Sequence, residues 1–362
     1  MDHARRREEL GRGMRNRGLD AFLVINVERS DRPNLRYLTG FTGSFGILIA
    51  GERSLFATDS RYTEQAGREI AGLPVEEVKG RWLPWLAERL KALGVAKVGI
   101  GAQRTSLHVY QELTRLASGI EFVPQTGLVE ELRRVKSEEE ITRISAAARL
   151  TDEGLRWVVG RLAPGQKERD VALDLEVWYR RHGAEGVAFD LIVAGGPGSA
   201  MPHHRPTDRA IARGDVVLFD IGAQVNGYCA DLTRVVAVGD PGGEVREVYR
   251  TVLEANRAGL AAVRAGRTGK DVDQAARDVI ARAGHGDRFG HGLGHGVGLE
   301  VHEAPTVGPS SDDALEVGTV VTIEPGIYLP GRFGIRIEDL VAVTADGCRI
   351  LSSSPKDELL VV

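Results

Sequence analysis

An acidic residue inside an apolar, strand-like run is costly to bury, and this chain carries several. In Gly214 to Val238, GDVVLFDIGAQVNGYCADLTRVVAV, Asp220 interrupts the run Val216 to Ile221 and Asp231 interrupts Tyr228 to Val238. Asn226-Gly227 between the runs favours a tight hairpin turn. Pairing across that turn puts Asp231 opposite Gly222 or Asp220. The period of two then sets both carboxylates on one face, ~5–8 Å apart. Carboxylates that close repel, so the pair calls for a shared proton, an arginine or a metal. A solvated face is the usual setting for an Asp in a strand, but the flanking Val, Leu, Phe, Ile, Tyr and Cys argue against it.

The same pattern occurs again downstream. Gly214-Asp-Val-Val-Leu-Phe-Asp220-Ile-Gly222 matches Gly318-Thr-Val-Val-Thr-Ile-Glu324-Pro-Gly326, with an acid at the same offset from the leading glycine. The stretch from Asp231 to Val238 aligns loosely with Glu338 to Val343, and His203 with its Pro206 and Thr207 matches His302 with Pro305 and Thr306. An ordered His–Gly–acid–acid set that occurs twice is an internal duplication. It predicts two similar halves about a pseudo-twofold axis, their acids meeting at the centre. The alignment selects His203, rather than His204, as the counterpart of His302.

Between the two acidic hairpins lies GHGLGHGVGLEVHE, Gly290 to Glu303, with His291, His295 and His302 in a glycine-rich apolar run. A single histidine there reads as a satisfied core residue; three invite a ligand. Asp220, Asp231, His295, Glu324 and Glu338 carry too much negative charge for one ion and suit two divalent cations with bridging carboxylates. An oxygen-dominated set without thiolate favours manganese, with cobalt or zinc as further possibilities, over a structural zinc site. Cys229 shares a strand face with Asp231 and reads as structural. The competing reading is a buried carboxylate–arginine network built on Arg234 and Arg336, and the duplication weighs against it.

The elements that must hold these residues fall into two domains, 1–126 and 127–362. The first reads as a small α/β domain. Helices are expected over Arg5 to Arg17, Arg61 to Ile70, Trp82 to Leu93 and Leu107 to Ala117. Strands are expected at Ala21 to Ile25, Gly46 to Ala50, Leu55 to Thr58, Lys97 to Ile100 and Glu121 to Val123. Arg32 to Phe45 reads as a loop, either a connector or an arm reaching a partner or ligand. In the second domain Ser137-Glu-Glu-Glu140 opens a long helix as a capping box. A helix over Glu168 to Arg181 and a strand at Phe189 to Val193 follow. After the first hairpin come helices at Val245 to Ala265 and Lys270 to Ala283. The fold class is α+β, an antiparallel sheet with helices on its outer face.

Composition narrows the function. The 362 residues carry a formal net charge of −4, with no basic stripe for nucleic acid. No apolar run is as long as a membrane span, and the charged start MDHARRREEL lacks the apolar core of a signal peptide. The two cysteines suit a reducing cytoplasm. No glycine-rich phosphate loop appears at a strand–helix junction.

The run His291 to Glu303 and the two acidic hairpins resemble the pita-bread metallopeptidases of the aminopeptidase P/prolidase branch. NLRYLTGFTGS (34–44) and TDSRYTEQA (58–66) resemble that branch's N-terminal domain. The resemblance implies that Asp220 binds one ion, that Asp231 and Glu338 bridge, and that His295 and Glu324 hold the other. It gives His203, His291, His302 and Arg336 substrate-side and supporting roles; for carrying the water proton to the prolyl nitrogen, Glu324 is our own choice. It implies hydrolysis of the bond preceding proline, and a homodimer. Methionine aminopeptidases share the ligands without this N-terminal domain, creatinase lacks the ligands, and pita-bread binding modules have lost the catalytic set. One departure bears on substrate length. Glu303 to Ile323 contains no Lys or Arg where many members of the branch have an arginine. That tilts the expectation toward an Xaa-Pro aminopeptidase, with an Xaa-Pro dipeptidase as the alternative, in which Arg36 of the first domain would read a dipeptide's carboxylate.

Overall fold

The computed structural model describes residues 1–362. Its contacts divide the chain into two compact units, Met1–Arg133 and Arg134–Val362. The boundary lies past the expected 126/127 because the short helix Glu130–Arg134 packs with the first unit. There Arg133 donates to Asn34 Oδ1 (2.7 Å), and Tyr37 donates its hydroxyl proton to the Leu132 carbonyl (2.7 Å).

The first unit is a six-stranded mixed sheet in the order Val75–Glu77, Leu55–Thr58, Phe45–Gly51, Ala21–Val27, Lys97–Gly101, Glu121–Gln125. Helices Trp82–Leu93 and Leu107–Leu116 contribute Leu86, Leu90 and Leu113 to a core with Leu23, Ile25, Ile47 and Val98. The segment expected as a loop is different: Arg32–Thr39 is an α-helix ended by Gly40 at φ 82°. Pro33 in its first turn and the stripe Leu35, Leu38, Thr39 explain it, since proline is pre-set for a helix start and that spacing buries one face. Tyr37 and Phe41 are buried, Phe41 against Phe56 (4.9 Å between ring centres), so neither offers an exposed aromatic. Arg36 is half-buried on this helix, and the loop reading that singled it out does not hold.

The second unit repeats one arrangement. Helix Glu138–Val159 begins with the expected capping box: Ser137 Oγ accepts from the Glu140 amide and Glu140 accepts from the Ser137 amide. With Glu168–Arg181 it covers a four-stranded sheet, Ile192–Gly195, Val216–Ile221, Leu232–Ala237 and Leu360–Val361. Helices Gly243–Ala262 and Gly269–Arg282 pack on a five-stranded sheet, Glu303–Val307, Gly294–Gly296, Val320–Ile323, Asp339–Val343 and Cys348–Ile350. In each half a strand runs into an acid, a short hairpin follows, and the return strand starts just after the second acid.

The ladders refine the alignment of the halves. In the first hairpin Thr233 pairs with Asp220 and Leu232 with Ile221, which sets Asp231 opposite Gly222 by count. In the second, Ile323 pairs with Asp339 and Gly326 with Arg336, so Glu324 faces Glu338. By register, then, Glu338 corresponds to Thr233, and Asp231 to Arg336. The tails Ala237 and Ala342 still coincide, but the second acids are offset by one full side-chain period, so both remain on the same face. Asn226 and Gly227 both have positive φ, 50° and 80°, as a primed two-residue turn requires.

Candidate metal centre

Backbone geometry brings the acids together at the sheet ends. Asp220 is the penultimate residue of the strand Val216–Ile221, and Asp231 lies where the hairpin breaks between Tyr228–Cys229 and Leu232–Ala237. A Cβ on Gly222 would lie 2.1 Å from the Ala230 carbonyl oxygen, so only glycine lets the chain close here. Asp220, Asp231 and Glu338 each offer a ligand atom within 4.8 Å of the others. His295 Nε2 lies 3.3 Å from Glu324 Oε1 and 3.6 Å from Asp231 Oδ2. The five expected ligand residues are therefore in one place.

His295 is aimed from both sides. Its Nδ1 lies 3.1 Å from the Gly296 carbonyl, its amide donates to Thr322 Oγ1 (3.0 Å), and Thr322 donates to Glu324 Oε1 (3.1 Å). A Cβ on Gly294 would lie 2.0 Å from the Thr322 carbonyl oxygen, so the strand approaches its neighbour too closely for any side chain. Thr233 Oγ1 donates to Glu338 Oε2 (2.8 Å) across the two halves.

The charge does not balance within the protein. Four carboxylates face two cationic side chains, Arg336 and His295. Arg336 pairs with Asp220, approaches Glu324 (3.9 Å), and donates to Thr233 Oγ1 (3.0 Å) and the Tyr328 hydroxyl (2.8 Å). Burial, followed by the neighbouring carboxylates, pushes Asp231 and Glu338 well up from the ordinary carboxylate range. Burial also raises Asp220, in spite of Arg336. At Glu324 burial is outweighed by the His295 hydrogen bond and charge, which bring it down to about 2. His295 is lifted to about 9, because Glu324 outweighs burial. The arginine network considered from sequence is thus present in part. Arg234, its other member, is committed to Asp339 and to the carbonyls of Thr233 and Ser354. Neither arginine reaches Asp231 Oδ1 or Glu338 Oε1, two buried oxygens with no hydrogen-bond partner.

The remaining candidates surround these residues in a cleft of about 620 Å³, all of whose lining residues belong to the second unit; Arg36 is not among them. His203 and His302 are exposed in it, and the His302 ring meets His295 edge-on at 4.4 Å. Burial, then the charge of His295, lowers the His302 pKa, which favours a neutral imidazole. His291 is lowered chiefly by burial and bonds the Tyr328 hydroxyl (2.9 Å). His204 also borders the cleft, but its ring is buried and its Nε2 lies 2.9 Å from Glu168 Oε2. The Cys229 thiol is near Gln224 Nε2 (3.7 Å) and the Leu299 carbonyl (3.8 Å), and burial pushes it up to about 12, so it is no thiolate.

Comparison with known proteins agrees with this geometry. Residues 142–345 match Metallopeptidase family M24, and residues 6–135 match the Creatinase/Prolidase N-terminal domain. The chain belongs to metallopeptidase family M24. A Xaa-Pro dipeptidase of Pyrococcus horikoshii is 37% identical, covering 95% of each chain. Among solved structures, an X-Pro aminopeptidase of Thermotoga maritima superposes with a TM-score of 0.91 at 42% identity, covering 97% of this chain and 100% of that one. A Xaa-Pro dipeptidase of Bacillus anthracis superposes with a TM-score of 0.95 at 38% identity, covering 99% and 100%. The second unit of this M24 metallopeptidase is the duplicated pita-bread fold, and membership implies divalent metal ions. The donor set fits them. The two unpartnered oxygens of Asp231 and Glu338 are what bridging carboxylates would leave exposed to ions, and no thiolate intrudes.

Sequence reasoning missed Tyr328. Its buried hydroxyl joins His291 to Arg336, and so to Asp220. It lies on the strand Gly326–Leu329 directly after Glu324-Pro325, two residues past the repeated glycine, a placement that marks it as close to the site. The role of Glu168 was also hidden: fully buried at the start of its helix, it accepts from His204, from the Thr207 amide and hydroxyl, and from the Gly195 amide.

Proposed function

We propose that this M24 metallopeptidase is an Xaa-Pro dipeptidase that hydrolyses the bond between a first residue and a following proline. The supporting observation is the convergence of Asp220, Asp231, His295, Glu324 and Glu338 in one cleft, in a chain similar along 95% of its length to a protein named Xaa-Pro dipeptidase. The sequence tilted toward the aminopeptidase because Glu303 to Ile323 contains no Lys or Arg; the named relatives favour the dipeptidase. Similarity to an X-Pro aminopeptidase keeps that activity as the second reading.

Asp231 and Glu338 would bridge two ions, Asp220 would complete one site, and His295 with Glu324 the other. The oxygen-rich set suits manganese, with cobalt or zinc as alternatives. Such ions supply a nucleophilic water near neutral pH and draw charge from the scissile carbonyl. Glu324 would take the proton that the attacking water gives up and deliver it to the prolyl nitrogen. His302 and His203 present imidazole N–H groups to the developing oxyanion. His291, Tyr328 and Arg336 hold Asp220 in place. A cytoplasmic homodimer belongs to the same reading; no helix is long and apolar enough to cross a membrane.

A timed digest of Ala-Pro beside Ala-Pro-Ala-Ala with added manganese tests this. The dipeptidase releases proline from Ala-Pro faster than it trims the tetrapeptide. Trimming of the tetrapeptide alone makes it an aminopeptidase, and cleavage of neither makes it a silent binding module.

A further inference from the structure

A dipeptide substrate carries a carboxylate one residue beyond the scissile bond, and a cleft that selects dipeptides has to meet that charge. The wall after His302, formed by Thr306, Val307, Gly308, Pro309 and Ser310, offers no cation. Arg336 lines the cleft but is buried, and all three of its guanidinium nitrogens are engaged, by Asp220, Thr233 and Tyr328. One other arginine faces the cleft. Arg205 is exposed two residues after His203, and its guanidinium has no hydrogen bond or ion pair with the protein.

The segment that carries Arg205 is held on both sides. Glu168 accepts from His204 (2.9 Å) just before it, and from the Thr207 amide (3.0 Å) and hydroxyl (2.8 Å) just after it. Pro202 and Pro206 stiffen the same stretch. A cation on a pinned backbone, unpaired and beside a histidine of the site, is placed to bind rather than to stabilise the fold. We propose that Arg205 is the specificity-determining residue that binds the free carboxylate of a dipeptide substrate. This deepens the dipeptidase reading and rests on it. It also supplies, from the first half of the duplication, the charge that the second half lacks. A guanidinium meets a carboxylate through two parallel N–H donors, a geometry a neutral C-terminus cannot reproduce.

The test compares Ala-Pro with its C-terminal amide on the manganese-loaded enzyme. The readout is the ratio of kcat/KM for the acid over the amide. In wild type the ratio exceeds one. In Arg205→Ala it falls about tenfold or more, chiefly through KM, as loss of one charge-assisted contact predicts. In Arg205→Glu it falls further, and in Arg205→Lys it recovers in part. An unchanged ratio in the Ala and Glu variants overturns the inference, as does a wild-type enzyme that cleaves the amide at least as well as the acid. Either result leaves the Xaa-Pro peptidase standing. A wild-type enzyme that cleaves neither compound overturns the peptidase reading itself.

Discussion

Asp231 and Glu338, from opposite halves of the duplication, each bury one carboxylate oxygen that no donor in the protein reaches. Buried charge without a partner is unstable unless a proton or an ion answers it. Here the carboxylates repel one another, so each ion bound relieves strain that the protein has built in.

Asp231→Asn and Glu338→Gln are accordingly expected to abolish activity and to lower bound metal from two ions toward one or none. Elemental analysis of the purified variants checks this. Manganese should raise the Tm of the wild type, by mass action on the folded state, and do so much less in either variant. Unchanged metal stoichiometry counts against the bridging roles.

Cys229→Ala should retain both ions and most of the activity, since the thiol bonds Gln224 and Leu299 and is held neutral by burial. The same burial predicts that Cys229 in the folded protein reacts slowly with a thiol reagent at pH 8. Metal loss in a folded Cys229→Ala protein would contradict the first statement, and rapid labelling the second.

His203 and His204 should separate into a kinetic and a structural residue. His203→Ala should lower kcat by ~10²–10³, the cost of an oxyanion donor, with Tm unchanged. His204 shares a buried hydrogen bond with Glu168, so His204→Ala should cost about 1–3 kcal/mol of stability and little in rate. Steady-state kinetics beside thermal unfolding distinguishes the two; the reverse ranking would break the alignment of His203 with His302.

Glu168 and Asp31 predict pH effects of opposite sign. Burial would raise Glu168, but the hydrogen bonds from His204, Gly195 and Thr207 outweigh it and hold its pKa below 4.5. Its stabilising effect is complete above that value and is lost as pH falls. Asp31 is pushed up to about 7 by burial, against an ordinary 3.8, despite Arg104. The folded state there holds a proton that the unfolded chain lacks, so this contribution is complete below 3.8 and is lost as pH rises to about 7. Unfolding midpoints across pH 3 to 8 should therefore drop less at the acid end in Glu168→Gln, and decline less between pH 4 and 7 in Asp31→Asn. Slopes equal to wild type would refute either assignment.

Much of this molecule was legible in one dimension. Strand and helix periods, the Ser137–Glu140 capping box and the Asn226-Gly227 turn are local, and local sterics and hydrogen bonds decide them. The repeated Gly–acid spacing, with three histidines between its copies, pointed to a duplicated fold and to five candidate residues that the fold gathers in one place, because a side-chain period of two fixes which face each acid shares. What the sequence misread depended on partners remote in the chain. Arg32–Thr39 is a helix whose Tyr37 hydroxyl is spoken for by Leu132, and its loop-like composition said nothing of that contact. The second acids are offset by two residues in the ladder, a register set by hairpin length rather than by sequence similarity. Tyr328 bridges His291 and Arg336, and Glu168 pins the segment bearing His203 and Arg205, only because tertiary packing closes the distance. Composition and spacing settle which groups a chain has and which face they share. Which charges end up paired, and which stay free to meet a substrate, depends on the neighbours that folding brings to them.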